Sequence, residues 1–294
     1  MNLGDIWLIT VYDLKESVRS RRIWTIGLLF WVASVLSAWA FIGTMRLIEK
    51  GMTMVPGASS LDPLKLAQNA KFREFLKFFI GDAHKVDYLV TLPPLGLYIT
   101  GIMLLSIPWI VALTATDLVA GDVQHRTIRY VLLRTARVNF VVGKVLSQTL
   151  LLSALTMTSL IPAVGLAVFQ LQSFDAISTM VFLAQSTPAM LAYAFGFVGL
   201  AALASQLTSS PAKARSLGLF LFVLLWLVGW KTPTLELTSI WSIFSWLSYF
   251  SPWHAKGYLY EPELARRAIG IGLSIGFGAL FTGVGFAHFL RKDV

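Results

Sequence analysis

The stretch "DLVAGDVQHRTIRYVLLRTARVNFVVGKVL", residues 117–146, decides how this chain folds. It carries five basic side chains, Arg126, Arg129, Arg134, Arg137 and Lys144, beside Asp117 and Asp122, while the runs on either side, 95–116 and 145–169, hold no charged residue. Each flanking run has about the ~20 apolar residues a helix needs to cross a hydrocarbon layer of ~30 Å. A charged island between two such runs reads as a loop that joins two membrane spans.

Composition extends that reading to the whole chain. Of 294 residues, 56% are hydrophobic and only 13% charged, against about 25% charged in an ordinary soluble domain. The mean hydropathy is +0.71, and a single soluble core does not grow large enough to hide so much apolar surface. Six runs qualify as spans: 23–44, 95–116, 145–169, 179–204, 217–230 with its flanks, and 268–289. The first follows a charged segment and is long enough to span, so it is expected to be retained rather than cleaved as a signal peptide. The expected fold is all-α and polytopic, one transmembrane domain over 1–294. The absence of cysteine excludes disulfides and thiolate metal sites.

Orientation follows from the short loops. Lys15, Arg19, Arg21 and Arg22 precede the first span, the quoted stretch follows the second, Lys213 and Arg215 follow the fourth, and Arg291 and Lys292 follow the sixth. All four groups fall on one side, and the connection 170–178 on the other has neither Lys nor Arg. By the positive-inside rule both termini are cytoplasmic, and the segments 45–94 and 231–267 face outward. The net charge of +9 is thereby assigned to loops held against anionic lipid and not to nucleic acid.

Three further segments are amphipathic or interfacial. In 1–22, Trp7, Val11, Leu14 and Val18 recur at helical spacing with Asp13, Lys15, Glu16 and Arg19 off that stripe, which predicts a helix lying along the inner surface. In 64–80, Phe72, Phe75, Leu76, Phe79 and Ile80 form a second stripe, suited either to the outer leaflet or to docking a partner there. The stretch 238–253, with Trp241, Trp246, Tyr249 and Trp253, resembles an aromatic belt, and whether it re-enters the bilayer is left open.

The chemical inventory is sparse. No Asp, Glu, His or Arg stands within the span cores away from their ends, so a proton relay or an intramembrane hydrolase lacks its residues. Lys144, at the start of the third span, is expected to snorkel toward the surface. His84, His125, His254 and His288 are scattered, and metal sites need clustered ligands. Gly143 and Lys144 are followed by Val145, so the chain has no phosphate loop of the Gly-Lys-Ser/Thr kind. Pro108, Pro162 and Pro188 can kink their helices. Gly272, Gly276, Ala279 and Gly283 put small residues on one face of the last span, a pattern for close helix packing. The interior polarity consists mainly of Gln148, Thr149, Ser153, Thr156 and Gln185. These residues are candidates to line a path, although such hydroxyls also bond to their own helix. A path this apolar suits an amphipathic or lipid-like cargo.

On charge alone, the quoted stretch fits an ordinary cytoplasmic loop as well as a docking element. Its order of residues is more specific. Ala120 and Gly121, the acid Asp122, Thr127, the pair Leu132 and Leu133, Arg137, and then Gly143 with Lys144 opening the next helix resemble the loop between the second and third spans of type-2 ATP-binding-cassette (ABC) permeases. Arg126 stands where that family usually has Gly, Asp122 replaces the commoner Glu, and Thr135 lies near a frequent Pro. The resemblance implies an exporter subunit of a bacterial inner membrane that works as a dimer with a second copy or a homologue. It also implies that separate ATPase subunits, which hold the ATP and magnesium, dock on a coupling helix within 117–140. The coupling residues would be Asp117, Gly121, Asp122, Arg126, Thr127, Arg129, Leu132, Leu133, Arg134 and Arg137. Two alternatives stand beside it: a permease of the same family that passes ATP-driven motion to a partner on the outer side without releasing cargo, and an ATP-independent channel or carrier.

Overall fold

The computed structural model describes residues 2–53, 83–89, 91–171, 174–231, 249, 251–261 and 263–292. The amphipathic stripe expected in 64–80, and Trp241 and Trp246 of the aromatic stretch, lie outside the described residues. Eleven helices and no strand occur among the described residues. They are α1 (Leu3–Arg19), α2 (Arg21–Thr53), α3 (Ala83–Leu89), α4 (Pro94–Thr114), α5 (Ala120–Gln124), α6 (Thr127–Leu132), α7 (Arg137–Gln170), α8 (Ala176–Leu207), α9 (Pro211–Lys231), α10 (Pro252–Leu259) and α11 (Leu264–Leu290).

Six of them, α2, α4, α7, α8, α9 and α11, are long and apolar enough to cross a membrane, one for each expected run. Their ends are set by local chemistry. Asp175 accepts from the amide of Ser178 to start α8, and Ser251 accepts from Trp253 with Pro252 in the first turn of α10. Pro93 and Pro94 open α4. The helices α4, α7 and α8 continue through Pro108, Pro162 and Pro188.

The helix α8 is the axis of the bundle. It packs on α4, α7, α9, α10 and α11, and Tyr193 and Phe197 on it are wholly buried, with Phe197 meeting Phe222 of α9 and Trp253 of α10. Its closest approach is to α11. A Cβ built on Gly199 would collide with the backbone of Gly278, so neither residue tolerates a side chain there. The small-residue face expected from the sequence is a different one, and among the described residues it meets no other helix. Gly272, Gly276 and Gly283 have nothing within 4 Å of a built Cβ, and with Ala279 they lie on the exposed face. The packed face is Gly270, Ser274, Gly278 and Gly285.

The helix α1 is also two-faced in an unexpected way. Asn2 caps it by accepting from the Gly4 amide. Its buried residues are Ile6, Ile9, Thr10 and Asp13, seated on α7. There a Cβ on Gly143 would lie 2.8 Å from Ile9, and the Thr10 hydroxyl bonds the Gly143 carbonyl at 3.2 Å. The stripe of Trp7, Val11 and Val18 faces out, together with Leu3, Leu8 and Tyr12, as an in-plane helix on a lipid surface requires.

Candidate functional site

At the end of the bundle that holds α1, the chain leaves α4 at Ala115 and returns to the membrane at α7. The intervening loop is fastened before it turns. Ser205 near the end of α8, 0% exposed, accepts from the amides of both Val119 and Ala120 at 2.8 and 2.9 Å. One hydroxyl therefore satisfies two donors at the start of α5, a role that nothing in the sequence around Ser205 signals.

Between α5 and α6 the backbone turns at Arg126, which has φ of 58° and ψ of 10°. It is the only non-glycine residue of positive φ in the described chain. This left-handed geometry favours glycine, because a Cβ crowds the backbone there. Thr127 then closes the turn by donating to the Asp122 carboxylate at 3.0 Å.

The short α6 has an inner and an outer face. Ile128 is 0% exposed within the main hydrophobic cluster, and Val131 and Leu132 pack against that cluster. Ile128 is therefore committed to the chain's own core, and Val131 and Leu132 are half-buried beside it. On the outer face, Arg126, Arg129, Tyr130, Leu133 and Arg134 are exposed, with Tyr130 at 75% and Leu133 at 82%. Tyr130 was not among the residues singled out from sequence.

Arg137 has a different environment. Its guanidinium donates to the carbonyls of Phe289, Leu290 and Lys292 at 3.1, 3.1 and 3.2 Å and lies 5.6 Å above the Phe289 ring. It caps the C-terminal end of α11, where orphan carbonyls and the helix dipole favour a cation. Lys292 extends the same junction by donating to the carbonyls of Gln206 and Thr208, and burial pulls its ammonium below the usual lysine pKa.

Two ion clusters tie this loop to the rest of the bundle. Asp117 pairs with Arg22 at the start of α2 at 2.7 Å and with Arg215 at the start of α9 at 2.5 Å. Lys144 pairs with Asp122 at 2.8 Å and with Asp13 of α1. The Lys144 side chain is 12% exposed, so it does not snorkel as expected. Two carboxylates meet it inside the protein, which lowers the cost of burying its charge. Between the clusters lies an open cavity of about 260 Å³ lined by Asp13, Arg22, Asp117, Asp122, Lys144 and Gln148 among others. The start of α2, the end of α4, the starts of α7 and α9 and the ends of α8 and α11 thus all meet at one end, and the four basic groups of the sequence lie together there.

The candidate path residues do not gather around one space. Gln148, 3% exposed, donates to Thr114 at 2.8 Å and borders the cavity just described. Thr149, Ser153 and Thr156 each donate to the carbonyl four residues back in α7. Gln185 is exposed on α8. No group of three or more metal-ligating side chains occurs among the described residues.

Residues 7–294 match the profile of a family described as ABC-2 family transporter protein. No curated protein matches the chain.

Proposed function

The chain belongs to the ABC-2 transporter family, and we propose that it is the membrane-embedded permease subunit of an exporter driven by separate ATPase subunits. The observation that carries this reading is the division of labour on α6. Ile128 is sunk into the bundle core while Arg129, Tyr130, Leu133 and Arg134 stand free. A helix rooted inward and presenting an aromatic, a leucine and arginines outward suits docking into an acidic-rimmed groove on a soluble partner.

Force applied to α6 has short routes into the spans. Ser205 hands it to α8, Lys144 to α1 and α7, and Asp117 to α2 and α9. ATP and magnesium belong to the partner subunits, whose closure on nucleotide would press on α6 and rock two permease copies between inward-open and outward-open arrangements. The basic end is then cytoplasmic, as the positive-inside rule requires, and the membrane is the bacterial inner membrane. The apolar character of the spans favours an amphipathic or lipid-like cargo. The test is reconstitution of the chain with its ATPase in vesicles. ATP-dependent movement of a labelled amphiphile that needs both components supports the reading, and movement by the purified chain alone overturns it.

A further inference from the structure

At the end opposite the basic loops, the first turn of α11 brings Arg267 to a small cavity of about 20 Å³, lined also by Tyr88, Thr100, Ser186 and Tyr260. A single water needs ~10–15 Å³ and pockets for organic ligands start near ~300 Å³. The space therefore suits one small inorganic particle.

Its lining is mainly apolar, and the polar members are Tyr88, Thr100, Ser186, Tyr260 and Arg267. Arg267 donates from one terminal nitrogen to the Tyr88 hydroxyl at 2.9 Å and to the Glu261 carbonyl at 3.1 Å, while its Nε is buried with no partner. No carboxylate among the described residues pairs with this guanidinium. The nearby Glu261 and Glu263 pair with Arg266 instead, at 3.9 and 3.1 Å.

Thr100 points to the same conclusion. It is 6% exposed and its hydroxyl has no partner. Thr114, Thr149, Thr156 and Thr187 each donate to the carbonyl four residues back, the usual fate of a hydroxyl in a membrane helix. Ser186 of the same lining does likewise, toward Phe182 at 2.9 Å. The Thr100 proton is not spent in this way and remains available to the cavity.

A buried N–H without a partner is costly, and N–H and O–H donors that border one space are best met by an acceptor that brings no protons of its own. We propose that this cavity binds one halide-sized anion, chloride under physiological conditions, held by Arg267 Nε–H and Thr100 Oγ1–H. The ion bridges α4 to α11 and, through Arg267 and Tyr88, draws α3 onto the bundle, so it stabilises the closed packing of this end.

The experiment uses the full chain in lipid nanodiscs, with its thermal midpoint followed in sodium chloride, bromide or gluconate at fixed ionic strength. A saturable rise with chloride and bromide and none with gluconate is expected. Thr100→Val should weaken the apparent halide affinity at least ~10-fold, the loss of one hydrogen bond to a charged group, and Arg267→Gln should abolish the response. In crystals grown with bromide, an anomalous peak should lie between Thr100 and Arg267. Equal midpoints in chloride and gluconate, a halide response unchanged in Thr100→Val, or an ordered water in place of bromide would overturn the proposal.

Discussion

Lys144 Nζ lies 2.8 Å from Asp122 Oδ2, joining the third span to the loop that precedes it, and the same ammonium bonds Asp13 on the N-terminal helix. Two neighbouring segments and the distant N-terminal helix thus share one largely buried charge. Removing only the cation leaves two carboxylates facing each other. Lys144→Met is therefore expected to destabilise the chain by about 3–5 kcal/mol, the cost of breaking a buried pair from one side. Replacing the whole cluster, Lys144→Met with Asp13→Leu and Asp122→Leu, should recover most of that stability. Denaturant titration in detergent micelles measures both. Full stability in Lys144→Met alone would show that the cluster carries no weight.

The turn at Arg126 gives a second test. With φ at 58°, its side chain costs about 1–2 kcal/mol of backbone strain that glycine would not incur. Arg126→Gly should raise the thermal midpoint, whereas Arg126→Val, β-branched at the same geometry, should lower it. A drop with glycine would mean that the Arg126 side chain makes a stabilising contact larger than the strain.

The closest helix contact separates two glycine substitutions that look alike on paper. Gly199→Ala drives a Cβ into the Gly278 backbone and should cost about 1–3 kcal/mol through overpacking. Gly276→Ala enters open space and should change stability by less than about 0.5 kcal/mol. Thermal unfolding of both variants decides the matter, and equal effects would contradict the α8–α11 packing.

Those two glycines also illustrate what was legible in the sequence. The six spans were readable because bilayer thickness dictates length and lipid dictates apolarity. Which face of a span meets protein was not, since lipid and a neighbouring helix are equally apolar. The stripe at Gly272, Gly276, Ala279 and Gly283 is the exposed one, and the packed face at Gly278 is built from the same residue types. On helix α1 the stripe of Trp7, Val11 and Val18 was legible and faces outward, but the second face was not: Ile6, Ile9, Thr10 and Asp13 are buried against α7, and nothing in their spacing says so. Long-range pairing lay beyond reach altogether. Nothing near Lys144 indicates that Asp13, 131 positions away, will meet it, and Ser205 was indistinguishable from any other helix serine. The left-handed turn was half visible, because Arg126 stands where glycine is usual in the resembling loop.

Separating the fold role of α6 from its surface role needs a pair of changes. Ile128→Ala empties a fully buried site and should cost about 2–5 kcal/mol of stability. Tyr130→Ala and Leu133→Ala remove exposed groups, and each should leave the thermal midpoint within the range of ordinary surface substitutions. If either exposed change unfolds the protein, α6 is a structural plug and not a docking surface.

The central claim is that the chain is driven through the outer face of α6. Its most direct measurement is the affinity of the ATPase subunit for the nanodisc-embedded chain, wild type against Arg129→Glu with Arg134→Glu. The account expects at least a ~30-fold loss of affinity, as for charged pairs at a docking surface, with an unchanged thermal midpoint. Equal affinity in the two proteins, at equal stability, would contradict it.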